Sequence, residues 1–328
     1  MTPSERVLAA LAHRVPDRVP RFEIWIDALF GELGQSDPQG AYVQLGQDCV
    51  LMPTRSPAGS AEWGTGVDEW GRVWRDGTYL GGMVDTVADL HKYSRGDDWV
   101  EHYFDEARVR GVQSRYPHHC YIYGSHIGPF TAGYLPMGLE RFFHRWVDDP
   151  PFVSALLEDR TRWCIAMFRE AVRLGAEVLV LGDDAAHHHG PMIAPQAWRE
   201  VVLPLHRRIV DSVGVPVIWH SDGNVEPLLP CAVQAGFVGV HGLEPAARMD
   251  LARVKQDYGR DLVLVGNADV RALCGTDLEA VRREVRRCIE QGAPGGGYML
   301  ATCNSIFEGM NPSAVAEHFR YAAEVGWY

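Results

Sequence analysis

The feature that most constrains the fold is a regular alternation of short apolar runs and longer amphipathic stretches from about residue 118 onward. The short runs are rich in β-branched and aromatic residues, which is typical of buried strands. The longer stretches carry apolar residues at spacings of three and four, which predicts helices. Strands that alternate with helices favour a parallel sheet. The sequence therefore predicts an α/β protein, a (β/α)8 TIM barrel that holds residues 1–328 in a single domain.

The predicted elements can be placed individually. The predicted strands are His119–Tyr123, Val178–Leu181, Val215–His220, Phe237–Gly242, Leu262–Val265 and Tyr298–Ala301. The predicted helices are Pro151–Leu174, Pro195–Val213, Val225–Ala235, Met249–Tyr258 and Asp277–Gln291. Residues 1–115 are expected to hold the opening strands and an elaborated N-terminal region, with a hairpin at Trp63–Arg75.

Composition excludes several classes of function. With 46% hydrophobic and 23% charged residues, the chain has the apolar content of an ordinary globular protein. Its net charge of -12, from 31 basic and 43 acidic residues, argues against a nucleic-acid partner. We also expect no membrane span and a cytoplasmic location, because no long uncharged apolar run and no secretory signal is present. The seven scattered cysteines do not suggest a disulfide framework.

A polar or glycine-rich cluster directly follows nearly every predicted strand. The carboxyl ends of the strands form the catalytic face of a (β/α)8 barrel, so these clusters are expected to meet in one active site. They are Gly124–His126, Gly182–Asp184, Ser221–Gly223, Leu243–Pro245, Gly266–Asp269 and Thr302–Ser305.

Residues in, or directly before, three of these clusters have side chains of the types that zinc accepts. His220, Glu244 and Cys303 supply an imidazole, a carboxylate and a thiol, which matches the three protein ligands of many catalytic zinc sites. Asp222 lies two residues after His220, so on a continuing strand both side chains point to the same side. Asp222 is then either a fourth ligand or a hydrogen-bond partner of a ligand. Structural roles stay open: Asp222 and Glu244 could cap helices, and Cys303 could pack in the core.

Other polar and aromatic residues are expected to complete the site. Asp183 and Asp184 are adjacent, so their side chains diverge and one is expected to face the pocket. Proton transfer is expected from Asp183, Asp184 and His126. Substrate contacts are expected from Phe22, Trp25, His188 and Asn267, although the aromatic residues could equally belong to the core.

Several motifs resemble those of the uroporphyrinogen decarboxylase superfamily. They are Pro16–Pro20 (PDRVP), Gly182–Asp184 (GDD), His220–Asn224 (HSDGN), Gly242–Pro245 (GLEP), Leu264–Asn267 (LVGN) and Gly295–Tyr298 (GGGY). The resemblance covers most of the chain and is weakest between about residues 30 and 115. It implies a barrel of this length.

Within the superfamily, the chain is most similar to the zinc methyltransferases and the related cobalamin-independent methionine synthases. Those enzymes use His-x-Cys, then Glu, then Cys, and this chain has His220, Glu244 and Cys303, with Asp222 in place of the first Cys. The Arg-Gln-Ala-Gly-Arg stretch of true uroporphyrinogen decarboxylases is absent from Arg21–Asp27.

This resemblance implies a reaction, a cofactor and partners. The reaction would be zinc-dependent transfer of a methyl group from a small methylated compound, such as an O-methyl ether, to a corrinoid protein or a thiol. The cofactors would be Zn²⁺ and a corrinoid carried by the partner protein, and a homodimer is common among such proteins. One alternative is a metal-independent decarboxylase of a small carboxylic acid, which would need a cationic anchor such as Arg21. The other is a non-catalytic binding barrel, which would tolerate the loss of Cys303.

Overall fold

A parallel sheet wrapped by helices forms the centre of the structure, a computed structural model that describes residues 1–26, 38–55, 60–62, 64–96, 99–125 and 127–328. The strands are β1 Cys49–Leu51, β2 Gly66–Val67, β3 Arg72–Arg75, β4 Thr78–Gly82, β5 Cys120–Ser125, β6 Val178–Gly182, β7 Ala186–His187, β8 Gly190–Pro191, β9 Val217–Ser221, β10 Gly239–Gly242, β11 Val263–Gly266 and β12 Tyr298–Met299.

The helices cover the outer side of this sheet. They are α1 Pro3–Leu11, α2 Pro38–Gln44, α3 Val87–Tyr93, α4 Val100–Tyr103, α5 Glu106–Arg115, α6 Pro129–Met137, α7 Leu139–Asp148, α8 Pro150–Arg173, α9 Pro195–Ala197, α10 Leu203–Asp211, α11 Leu229–Ala235, α12 Leu251–Tyr258, α13 Val270–Cys274, α14 Leu278–Gly292 and α15 Pro312–Val325. Short 3₁₀-helices lie at Glu226–Leu228 and Pro245–Ala247, and a π-helical turn lies at Trp198–Val202. In the part of the chain that the structure describes, no helix is both long and apolar enough to cross a bilayer.

The sheet has the order β1-β5-β6-β9-β10-β11-β12, and every neighbouring pair is parallel. All six strands predicted from the sequence are present, with ends shifted by a few residues. The prediction of an α/β fold with a parallel sheet is confirmed. Among the described residues the regular sheet has seven strands, so the closed eight-stranded barrel is not seen there.

The extended segment 20–26 lies between the two edge strands and makes only isolated bridges. Arg21 forms a parallel bridge to Leu300. On its other side, the backbone N–H groups of Arg21 and Glu23 donate to the side-chain oxygens of Asp48 and Gln47, each at 2.9 Å. The backbone carbonyl of Arg21 accepts the N–H of Asp48 at 2.8 Å, but the two N–H groups are paired with side chains and not with strand carbonyls, so the ladder is irregular here.

Alternation along the strands decides which side chains enter the sheet's interior. Val178, Val180 and Ile218 belong to an inner apolar cluster, while the intervening Leu179 and Trp219 pack against the helices. Successive side chains of a strand point to opposite faces, so the residue two positions after Ile218, His220, also points inward.

Capping residues in the sequence set where several outer helices begin. The carboxylates of Asp149, Asp250 and Asp277 accept backbone N–H groups in the first turns of α8, α12 and α14. Such caps satisfy donors that have no partner inside the helix. In the N-terminal region, β2, β3 and β4 form an antiparallel sheet over the predicted hairpin, of which Trp63 lies outside the described residues.

Candidate functional site

Three potential metal ligands meet at the carboxyl ends of β6 and β9. One ligand atom each from Asp184, His220 and Asp222 lies within 4.8 Å of the other two. His220 Nε2 is 3.7 Å from Asp222 Oδ1, and the Asp222 N–H donates to Asp184 Oδ1 at 2.9 Å. We call these three residues the acid–histidine cluster. One imidazole and two carboxylates are ligand types that zinc accepts.

The hydrogen bonds around His241 assign the tautomer of His220. His241 Nε2 lies 3.1 Å from the carbonyl oxygen of Thr302, which can only accept, so Nε2 carries a proton. Burial and the neighbouring His220 lower the pKa of His241, so its ring is neutral and its Nδ1 is an acceptor. His220 Nδ1, at 2.7 Å, must therefore donate to it. In the neutral form of His220, the lone pair of Nε2 then lies on the side of Asp222, as a metal ligand requires.

The carboxylates in and around the acid–histidine cluster repel one another. Burial, with a smaller contribution from the charges of Asp184 and Glu244, raises the pKa of Asp222 to about 6, against the opposing effects of His220 and of a hydrogen bond from Asn304. Carboxylates held this close disfavour one another's ionised form. A bound cation would relieve this repulsion.

The raised pKa of Asp222 predicts a pH dependence of stability in the metal-free protein. Between the ordinary carboxyl value of 3.8 and about 6, the folded chain binds more protons than the unfolded chain, so the free energy of unfolding falls as the pH rises. Relative to Asp222→Asn, the wild type should therefore gain stability as the pH is lowered from 7 to 4. Denaturant unfolding of both proteins with chelator present measures this difference, and a difference that does not change with pH would contradict it.

Glu244 and Cys303, the other two predicted ligands, lie at the same end of the sheet but outside the acid–histidine cluster. Glu244 Oε2 accepts the backbone N–H of Gly223 at 3.0 Å, beside Asp222. Cys303 is buried, and burial together with the charges of Asp269, Glu244 and Asp222 raises the pKa of its thiol to about 12, against a backbone hydrogen bond with Val270. In the described residues, their ligand atoms do not join the group that lies within 4.8 Å.

Asp183 and Asp184 are adjacent but face different partners. Asp184 contacts the acid–histidine cluster. The Asp183 carboxylate is fully buried and accepts the backbone N–H groups of Phe130 and Thr131 at the start of α6, at 3.2 and 2.7 Å. It also lies 2.7 Å from His206 Nε2. Asp183 therefore joins α6 to α10, while Asp184 points toward His220.

The two predicted aromatic contacts occupy different environments. The Trp25 ring meets the His220 ring edge-on, with centroids 4.9 Å apart. Phe22 is fully buried in the inner apolar cluster. Trp25 is thus in contact with the site, and Phe22 lies in the core.

The remaining predicted site residues are placed as follows. The Asn267 side-chain nitrogen donates to the carbonyl of Leu243 at 2.8 Å, and its oxygen accepts from Arg287 at 3.0 Å. Both polar atoms of this side chain are therefore hydrogen-bonded within the protein. His188 is exposed in the turn between β7 and β8. His126 lies outside the described residues.

Two residues of the site were not predicted from the sequence. His241 stood out only as a polar residue inside the apolar run Phe237–Gly242, and its partner His220 is its register neighbour on β9. Tyr134 on α6 hydrogen-bonds with Thr131, and burial raises the pKa of its hydroxyl, as do the charges of Asp184, Asp183 and Asp222. The sequence shows no helical periodicity over α6, so neither this helix nor Tyr134 was predicted.

Residues 74–325 match the model of the family described as uroporphyrinogen decarboxylase (URO-D). This chain belongs to the URO-D family. The membership agrees with the resemblance drawn from the motifs at His220–Asn224 and Gly242–Pro245.

Relatives of the URO-D chain include enzymes with two activities. A methylated-thiol–coenzyme M methyltransferase of Methanosarcina mazei is 31% identical over 169 residues, covering 50% of this chain and 43% of that protein. A uroporphyrinogen decarboxylase of Saccharopolyspora erythraea is 31% identical over 204 residues, covering 57% and 54%. The matches thus span about half the length of each relative.

The fold of this URO-D member is shared with a solved methyltransferase from Methanosarcina mazei. The two structures have a TM-score of 0.78 over 99% of both chains, at 20% sequence identity. At that identity the comparison shows the fold, and the sequence relatives add that methyl transfer occurs among similar proteins.

Proposed function

We propose that this protein is a zinc-dependent methyltransferase, which moves a methyl group from a small O-methyl compound to a corrinoid protein or a thiol. The observation that carries the proposal is the acid–histidine cluster, in which His220 Nε2 keeps its lone pair beside two carboxylates. The active unit would be one domain over residues 1–328, a TIM-like barrel whose two edges are joined by segment 20–26.

The donor set of the cluster fits a divalent zinc ion. Asp184, His220 and Asp222 would hold it, and repulsion between the carboxylates favours a cation there. Glu244 and Cys303 remain predicted ligands, because they lie on loops at the same end of the sheet. When bound, zinc would supply Lewis acidity that stabilises negative charge on the leaving oxygen.

A neighbouring aromatic side chain would hold the metal ligand His220 in position during methyl transfer. Trp25 packs edge-on against His220 and restricts the imidazole to one orientation. In the reaction the carbon–oxygen bond breaks, its electron pair stays on oxygen, and the methyl carbon bonds to the acceptor's nucleophile.

The alternative, a metal-independent decarboxylase, would need a cation to anchor the carboxylate of its substrate. Arg21 was the predicted anchor. Its backbone N–H donates to Asp48, just before β1, and its guanidinium lies against Gly46 and the carbonyl oxygen of Phe319 on α15. That position is at the amino end of the strands, away from Asp184 and the other clustered acids, so methyl transfer is the better supported function.

Metal content and methyl transfer test the proposal together. After expression with added zinc, elemental analysis should find about one zinc per chain in the wild type, much less in Asp184→Asn, and an unchanged amount in Asp257→Asn, an exposed control. Cys303→Ser is the variant that separates the two ligand sets. Zinc loss in Cys303→Ser with retention in Asp184→Asn would favour the set predicted from the sequence.

The reaction itself can be followed spectroscopically. A methoxylated donor should convert added cob(I)alamin, or a reduced corrinoid protein, to its methylated form, and a chelator should stop the conversion. Zinc-free wild-type protein would contradict the proposed function. Decarboxylation of a small acid that continues in the presence of chelator would support the alternative.

A further inference from the structure

A cavity lined by aromatic side chains lies at the same end of the sheet as the acid–histidine cluster. It has a volume of about 170 Å³ and lies among the ends of β1 and β5 and the helices α6 and α8. Four aromatic side chains line it, together with the apolar Ala132 and Met167: Trp70, Tyr103, Tyr123 and Trp163. We call it the aryl cavity. Pockets lined mainly by aromatic and apolar groups with a few polar groups are typical ligand sites.

The walls of the aryl cavity are held in place by their own contacts. Trp163 packs edge-on against Trp70 and Tyr103, with centroids 5.0 and 5.3 Å apart. The Tyr103 hydroxyl donates to Glu69 at 3.1 Å. Because these rings are fixed before any ligand arrives, little ordering entropy opposes binding.

A short path links the aryl cavity to the candidate metal ligands. Gly124, at the end of β5, lines the cavity, and a Cβ atom added there would lie only 2.9 Å from Trp25 Nε1. The same Trp25 ring contacts the His220 ring edge-on, with centroids 4.9 Å apart. A donor whose ring occupies the cavity would therefore lie one side chain away from the cluster.

The volume of the aryl cavity and the charged residues around it indicate which class of ligand it would bind. A cavity of about 150 Å³ holds one benzene ring, so the aryl cavity has room for one ring with a small substituent. The Glu62 carboxylate at its wall is already paired with Arg72 at 2.8 Å. The guanidinium of Arg160 lies over the Trp70 ring, 5.1 Å from its centroid, and would repel a second cation. Arg55 also lines the cavity and adds a further positive charge. The site thus favours a neutral ring over a quaternary ammonium group.

We propose that the aryl cavity binds the ring of a neutral aromatic methyl ether, which makes methoxylated arenes the donor class of this enzyme. The inference rests on the proposed function for its catalytic meaning, but binding of the ring does not depend on it. Ring binding can be measured without zinc, corrinoid or turnover.

Calorimetry with 2-methoxyphenol tests the aryl cavity on the full chain, as purified and after chelation. The wild type should bind the arene with or without metal, and should bind phenyltrimethylammonium more weakly. Trp163→Leu removes one wall and should weaken arene binding by about tenfold. Trp327→Leu is the matched control, because that tryptophan is 63% exposed and does not line the cavity.

A second variant keeps the test independent of any folding defect in Trp163→Leu. Ala132→Leu fills the aryl cavity without removing an aromatic wall, and it should also abolish arene binding. Undiminished binding by Ala132→Leu, preference for the cation, or no saturable binding by the wild type would overturn the inference. Arene binding without any methyl transfer would instead count against the proposed function alone.

Discussion

Replacement of His220 by alanine is expected to remove zinc binding and methyl transfer together. His220 supplies the nitrogen ligand of the acid–histidine cluster, and its Nε2 lone pair is fixed by the hydrogen bond from Nδ1 to His241. Without it, two mutually repelling carboxylates remain to hold the ion. Zinc titration against a chromophoric chelator should show a larger loss of affinity than the roughly 10–100-fold that removal of a partner of a metal ligand usually costs.

A graded comparison separates the role of His220 from that of its partner. His241→Phe keeps a buried ring but removes the acceptor for His220 Nδ1–H, so the imidazole loses its fixed tautomer. We expect zinc affinity to fall by about 10–100-fold in this variant, with the fold retained. His188→Ala, in the exposed turn between β7 and β8, should bind zinc as the wild type does. Stoichiometric, tight zinc in His220→Ala would show that the cluster is not the metal site.

The second large effect is expected on stability, from Asp183→Ala. The carboxylate is fully buried and accepts three hydrogen bonds, from the N–H groups of Phe130 and Thr131 and from His206. Truncation leaves these donors buried without an acceptor and removes the first-turn cap of α6. Losing one partner of a buried polar network costs about 3–5 kcal/mol. Denaturant unfolding monitored by fluorescence and circular dichroism measures the change.

The neighbouring carboxylate provides the control for this experiment. Asp184→Ala removes an equal side chain one position later, but Asp184 is only partly buried and its accepted hydrogen bond comes from the loop residue Asp222. We expect Asp184→Ala to lose zinc and to keep most of its stability. Equal stability losses in the two variants would contradict the division of roles between Asp183 and Asp184.

Local sequence patterns predicted most of the strands and helices of the fold. Runs such as Val178–Leu181 are buried strands, and capped amphipathic stretches such as Asp277–Gln291 are helices, because both signals arise from residues close in sequence. The helix α6 escaped prediction because nearly all of its residues are buried, which leaves no polar face and no periodic stripe. Segment 20–26 forms no regular strand, and the side chains of Asp48 and Gln47 accept two of its backbone N–H groups, an arrangement that no local sequence pattern predicts.

The candidate site, like the fold, was predicted only in part from local sequence patterns. The spacing of His220 and Asp222 along one strand already predicts that both side chains share a face, since alternation is a local property of a strand. Their companions come from other strands: the pairing of Gly182 with His220 brings Asp184 to the cluster, and the pairing of His241 with His220 fixes the tautomer. Strand order and register depend on how the whole sheet packs, so the tertiary structure alone decided which polar residues meet.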